Sequence, residues 1–162
     1  MSVSRLVRST VLLAAVLVLV AGCGSSGRTV TITHAAVTLA YVDLGAAGAS
    51  QGDERVTTIA TAVEGAGAGR LDAVLTTTAV DSPNKGDEVR IGHLVFTAGA
   101  GPDQIVVDGT SVYPSTGATI AQNTSTIRPI VGGSGTYAGA TGWAESFHLA
   151  DGTWRHVLHL GT

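Results

Sequence analysis

Residues 141–160 read TGWAESFHLADGTWRHVLHL, and this stretch decides the fold class. Apolar and polar side chains alternate on both sides of Asp151-Gly152. A period of two is typical of a half-buried β-strand, and Asp-Gly favours a two-residue type I′ turn. The stretch therefore predicts an antiparallel β-hairpin.

The two-residue turn also predicts the register of this hairpin. It pairs Leu149 with Trp154 and Phe147 with His156, so that alternate residues of both strands share one face. That face carries Trp143, Glu145, Phe147, Leu149, Trp154, His156, Leu158 and Leu160. We expect it to be buried because six of these eight side chains are large and apolar.

Six further runs rich in Val, Ile, Leu and Thr precede the hairpin, at residues 29–43, 54–64, 70–80, 88–98, 103–113 and 124–132. The first run changes parity after His34, which predicts a bulge or bend there. Gly- and Asp-containing turns separate the runs and leave no room for helices, so the strands should be antiparallel. The sequence thus predicts an all-β fold, a single eight-stranded antiparallel β-barrel.

Composition excludes two other classes of protein. Of the 162 residues, 13% are charged, 44% are apolar and 4% are aromatic. A long helical bundle or coiled coil would be much richer in charged residues. Disorder is equally excluded, because the apolar content is high and the net charge is only −3.

The N-terminus has the features of a secretion signal. Arg5 and Arg8 precede the apolar run 11–20, which is shorter than the roughly 20 residues that a membrane-spanning helix needs. The following Val20-Ala21-Gly22-Cys23 resembles a bacterial lipobox, and Cys23 is the only cysteine in the chain.

We interpret residues 1–22 as a lipoprotein signal peptide, residues 23–28 as the lipidated Cys23 with a Gly/Ser spacer, and residues 29–162 as the barrel. The alternative is an ordinary signal peptide with an incidental cysteine. A lipid on Cys23 would anchor the domain on the extracytoplasmic face of the plasma membrane.

Charge excludes a nucleic acid as the partner. Removal of residues 1–22 takes away two of the nine basic residues and leaves all 12 acidic ones, so the net charge falls to −5. A nucleic-acid-binding domain is expected to carry a basic surface.

Two Gly-containing segments resemble a known family. Residues 131–142, VGGSGTYAGATG, are similar to the GGTGxYxxAxG signature of the allene oxide cyclase and dirigent-like barrels, with Ser134 in place of Thr. Upstream, residues 42–45 followed by 48–53 resemble the stretch that leads to the family's "GD". The resemblance spans residues 29–160. It implies an eight-stranded barrel with a central cavity, often trimeric, that closes an allene oxide ring or steers phenoxy-radical coupling without metal or organic cofactor.

The sharpest candidate for chemistry is the pair Glu145 and His156. The predicted register makes them diagonal neighbours on an apolar face, where a carboxyl group and an imidazole suit general acid–base catalysis. The alternative is a buried structural pair. We expect Tyr41, Trp143, Phe147 and Trp154 to contact a ligand, although a tyrosine at a barrel end more often buries its ring and leaves its hydroxyl in water.

Metal and nucleophile sites are not predicted. His156 and His159 are three apart on a strand and so point to opposite faces. The chain offers no GxSxG elbow between a strand and a helix, the setting in which that motif presents a nucleophile.

The sequence is compatible with three functions. The leading hypothesis is a membrane-tethered extracytoplasmic barrel that binds a small apolar, aromatic or phenolic molecule and steers its reaction. The second is an isomerase or cyclase acting through Glu145 and His156. The third is a non-catalytic envelope interaction module, which predicts a lumen filled by side chains.

Overall fold

A computed structural model describes residues 27–115 and 117–161. The predicted signal peptide, residues 1–22, and the predicted lipidation site, Cys23, lie outside the described residues. Within the described ranges the fold has nine strands: β1 Arg28–His34, β2 Ala40–Val42, β3 Glu54–Val63, β4 Gly67–Val80, β5 Asp87–Ala98, β6 Gln104–Pro114, β7 Thr124–Ser134, β8 Thr141–His148 and β9 Trp154–Gly161.

The strands form one antiparallel sheet that closes on itself. Their order is β1-β9-β8-β7-β6-β5-β4-β3-β2. Pairing of β1 with β3, at Ile32 with Val63 and Thr33 with Ala62, closes eight of them into a barrel. The short β2 adds to the free part of β3. The predicted eight-stranded antiparallel barrel is confirmed.

The first predicted strand is interrupted. β1 ends at His34, residues 35–39 form a loop, and β2 resumes at Ala40. The parity change in the sequence therefore marks a break in the strand. In the described ranges, helical structure amounts to one 3-10 turn, Gly135–Tyr137, and no helix is long and apolar enough to cross a membrane.

The predicted register of the last hairpin is wrong by one residue. β8 and β9 pair His148 with Trp154 and Ser146 with His156. The loop has three residues, because the Leu149 amide donates to the Thr153 carbonyl at 2.9 Å and the Gly152 amide donates to the Leu149 carbonyl at 3.0 Å. This is a type I turn followed by a glycine at φ +83°, the usual three-residue hairpin loop.

A slip of one residue turns every side chain of a strand to the other face. Trp143, Glu145 and Phe147 therefore point away from the lumen, and Ala144 and Ser146 point into it. The prediction for β9 is correct, since Trp154, His156, Leu158 and Leu160 are all buried.

The lumen has an apolar half and a polar half. Large apolar side chains from five strands fill the first half: Val30, Phe96, Ile105, Val107, Ile130, Leu158 and Leu160. Full burial of one such side chain stabilises a fold by about 1.5–3 kcal/mol. Towards the loops that follow β1, β6 and β8, buried His, Arg, Glu and Ser side chains lie among the apolar ones. This polar half holds the candidate site.

Candidate ligand-binding site

A cavity of about 60 Å³ lies in the polar half of the lumen. Its walls are largely apolar, and a few polar side chains interrupt them. The lining residues are His34, Val37, Leu39, Thr57, Leu71, Ala73, Leu75, Leu94, Tyr113, Thr119, Ile120, Thr126, Arg128, Ser146, Trp154 and His156. Val37 and Leu39 come from the loop after β1, and Thr119 and Ile120 from the loop after β6.

Buried side chains hold the loop after β6 over the cavity. The Arg90 guanidinium donates to the carbonyls of Gly117 and Ala118, both at 2.9 Å. The His148 Nδ1 atom lies 2.7 Å from the Ile120 carbonyl, to which it donates. Three hydrogen bonds thus anchor this side of the cavity mouth.

Trp154 forms one wall of the cavity and is surrounded by imidazoles. Its ring stacks on that of His148 with centroids 4.6 Å apart, and on those of His156 and His34 at 5.9 and 6.0 Å. Such stacking fixes the orientation of the indole, which also lines the cavity.

A hydrogen-bonded chain runs across the cavity wall from Ser146 to His34. The His34 Nδ1 atom lies 2.7 Å from the Ala35 carbonyl, which can only accept, so Nδ1 carries the proton. His34 Nε2 then accepts from His156 Nε2 at 3.0 Å. His156 Nδ1 in turn accepts from the Ser146 hydroxyl at 2.8 Å. This arrangement of donors and acceptors requires both imidazoles to be neutral.

Burial enforces this neutral state. It lowers the pKa of His156 from 6.5 to about 3, with smaller contributions from the charge that a protonated His34 would carry and from the charge of Arg128. Burial also lowers the pKa of His34, against the opposing hydrogen bond to Ala35. At neutral pH, both imidazoles therefore stay uncharged.

Arg128 on β7 supplies the positive charge of the cavity wall. Its side chain is 3% exposed, and Nη2 donates to the hydroxyl of Tyr113. Its Nε has no hydrogen-bond partner among the described residues. Among the described residues, no carboxylate oxygen lies within 4 Å of the Arg128 guanidinium.

A buried ion cluster lies beside the cavity. Glu88 Oε2 contacts Arg90 at 2.9 Å and Arg55 at 3.6 Å, and accepts from Thr77 at 3.3 Å. The Arg90 guanidinium also packs 4.5 Å from the centre of the Tyr113 ring. Tyr113 thus lies between two buried arginines.

Of the residues predicted from the sequence, only His156 and Trp154 line the cavity. Glu145 lies on the outer face, where it accepts from Ser125 at 3.0 Å, so the predicted pair with His156 does not form. Trp143 is 49% exposed and stacks on His159, and Phe147 packs under Arg155. The one-residue change in register explains all three displacements.

Tyr41 also lies outside the cavity. It is 47% exposed and donates to Asp53 Oδ2 at 2.8 Å, which raises the pKa of Tyr41 to about 12. Backbone amides of Leu44 and Ser50 donate to Asp53 as well and lower the pKa of its carboxyl to about 2. Tyr41 and Asp53 therefore order the long loop between β2 and β3.

The sequence pattern did not point to His34, Arg128 or Ser146 as cavity residues. A signal existed for His34, which shares its parity with the buried Val30 and Ile32. Arg128 likewise shares its parity with Ile130, but the neighbouring Ile127 and Val131 mask the alternation. Among the described residues, no three His, Cys, Asp or Glu side chains converge as metal ligands would.

Comparison with known proteins supports the barrel and little more. No protein-family model matches the chain, and no curated protein sequence matches it. A solved structure described as a pyocyanin demethylase is similar with a TM-score of 0.59 and 20% sequence identity. The match covers 83% of this chain and 99% of that one. At this identity the similarity shows that the two proteins share a β-barrel fold.

Proposed function

We propose that this barrel binds a small, largely apolar molecule in the polar half of its lumen. The observation that carries the proposal is the cavity itself, whose apolar walls surround a few convergent polar groups. That combination is typical of small-molecule sites. The alternative, a non-catalytic interaction module, predicts a lumen filled by side chains, and this cavity argues against it.

The size of the cavity limits how the molecule enters. Its volume, about 60 Å³, is less than half of the roughly 150 Å³ that admits a benzene molecule in an engineered protein cavity. One end of an elongated molecule therefore fits between Trp154 and Arg128. The remainder lies in the mouth, against Val37, Leu39 and Ile120.

The fold comparison and the sequence motifs favour a planar or conjugated ligand. The similar structure is named for its action on pyocyanin. The segments at 42–53 and 131–142 support membership of the allene oxide cyclase and dirigent-like barrels, which the resemblance associates with reactive apolar substrates and a trimeric assembly. Sedimentation of the purified protein tests for the trimer.

The isomerase alternative loses its acid–base pair, because Glu145 lies outside the lumen. His156, with Ser146 and His34, is the proton-transfer group that the cavity retains. If the barrel steers a reaction, these neutral imidazoles are the groups that meet the bound molecule.

Two tryptophans allow a direct test of ligand binding. Trp154 lines the cavity and Trp143 lies on the outer face, so each can be made the only fluorophore. We expect pyocyanin to quench the fluorescence of a full-length Trp143→Phe variant saturably. The Trp154→Phe variant, as the matched control, should show only the linear loss caused by light absorption. Equal, unsaturable quenching in both variants would contradict the proposal.

We further propose that Cys23 tethers the barrel to the extracytoplasmic face of the membrane. The lipobox-like residues 20–23 support this. Metabolic labelling of the expressing bacterium with an alkyne analogue of palmitate should label the wild-type chain and spare a Cys23→Ser variant. Labelling of both, or of neither, would contradict the tether.

A further inference from the structure

The charges in the lumen do not balance. Glu88 is ion-paired with both Arg55 and Arg90, whereas Arg128 has no carboxylate within reach in the described ranges. The only hydrogen bond that its guanidinium makes there is to the neutral hydroxyl of Tyr113. An isolated buried cation is strongly unfavourable unless an anion pairs with it.

Two glycines on nearby strands lie close to the Arg128 side chain. Gly92 on β5 and Gly109 on β6 are direct partners in the sheet. A Cβ on Gly92 would lie 2.9 Å from Leu75 Cδ2 and 3.4 Å from Arg128 Nε. A Cβ on Gly109 would lie 3.6 Å from Arg128 Cγ. The Arg128 side chain thus runs past the two glycine positions on β5 and β6, and Arg128 also lines the cavity.

Tyr113 adds a second donor beside Arg128. Its hydroxyl oxygen accepts from Arg128, and no acceptor for its own proton is present in the described part of the chain. A hydroxyl that already accepts from an arginine is a stronger donor, because hydrogen bonds in series polarise one another. Arg128 and Tyr113 both line the cavity, and neither Arg128 Nε–H nor Tyr113 O–H has an acceptor among the described residues.

We propose that the ligand carries a carboxylate, which Arg128 and Tyr113 bind at the inner end of the cavity. The fork of a guanidinium matches the two oxygens of a carboxylate in geometry and charge. The apolar remainder of the molecule then packs against Trp154 and extends into the mouth. This inference rests on the proposed function, since it assigns the chemical class of the molecule bound at the same site.

The test compares two probes of nearly equal shape, 4-nitrobenzoate and 4-nitrobenzamide. Both quench indole fluorescence, and only the first carries a charge. Each is titrated into the full-length Trp143→Phe protein, where Trp154 reports binding. We expect 4-nitrobenzoate to bind at least about tenfold more tightly, the effect of one charge-assisted hydrogen bond.

Three substitutions in this background locate the discrimination. Arg128→Met removes the charge and should bring the two affinities within about twofold of each other. Arg128→Lys keeps the charge and should keep part of the preference, and it replaces the methionine variant if that one does not fold. Arg155→Met removes an exposed arginine on the outer face of β9 and should leave the preference unchanged.

The outcomes separate the two proposals. If neither probe quenches Trp154 in a saturable way, ligand binding in the lumen is refuted, and the carboxylate site with it. If both bind with equal affinity, or if the preference survives in Arg128→Met, the lumen binds ligands but the carboxylate site is wrong.

Discussion

Acidification should destabilise this barrel through His156. The imidazole is 1% exposed, and its pKa falls from 6.5 in the unfolded chain to about 3 in the folded one. Between these values the unfolded state binds a proton that the folded state does not. Stability therefore rises with pH across this window and is lost as the pH falls below 6.5.

The size of the effect follows from the two pKa values. Each pH unit inside the window changes the free energy of unfolding by about 1.4 kcal/mol per proton, so lowering the pH from 7.5 to 5 should remove about 2 kcal/mol. His34, whose pKa is also lowered, contributes in the same direction. Such a loss is a large fraction of the free energy of unfolding of a typical protein domain, which is about 5–15 kcal/mol.

Urea unfolding of the full-length protein at pH 7.5, 6 and 5, followed by tryptophan fluorescence, measures this loss. A His156→Gln variant cannot titrate and should lose about 2 kcal/mol less than wild type over the same range. His159→Gln, on the outer face of the same strand, is the matched control and should follow wild type. Equal pH dependence in wild type and His156→Gln would refute the reasoning.

Three further predictions concern the lumen. Leu158→Ala should lower the free energy of unfolding by about 2–5 kcal/mol because it opens a void among buried side chains, whereas Val131→Ala on the outer face should change it by under about 1 kcal/mol; urea titration checks both. Glu88→Gln leaves two buried arginines without a carboxylate and should cost about 3–5 kcal/mol in the same assay, and a near-neutral result would contradict the ion cluster. Gly92→Ala should weaken binding of 4-nitrobenzoate several-fold, because its Cβ would lie 2.9 Å from Leu75 and 3.0 Å from Leu94 and displace these cavity-lining side chains; unchanged quenching of Trp154 would contradict that displacement.

Strand positions were predictable because alternation and turn chemistry are local. The register of the last hairpin was not, because Asp151-Gly152 fits two loops. In a type I′ turn both residues take positive φ, whereas here only Gly152 does, as the last residue of a three-residue loop. One residue of difference moved Glu145, Trp143 and Phe147 from the predicted lumen to the outer face.

The polar groups of the cavity were hidden for a different reason. Glu88 and Arg90 share their parity with Leu94 and Phe96, so the pattern of β5 already places charges on a buried face. The pairing of those charges depends on Arg55 from β3, and the unpaired Arg128 beside them comes from β7, so both arginines lie far away in the sequence. Closure of the barrel brings the four together, and no local pattern encodes that contact.

A crystal structure of the protein soaked with 4-nitrobenzoate tests the central claim most directly. We expect the nitrobenzoate ring to pack against Trp154 and its carboxylate to bind Arg128 and Tyr113. Its nitro group should lie between the loops after β1 and β6. A lumen that stays empty at saturating probe, or a probe found only on the outer face near Trp143, would contradict it.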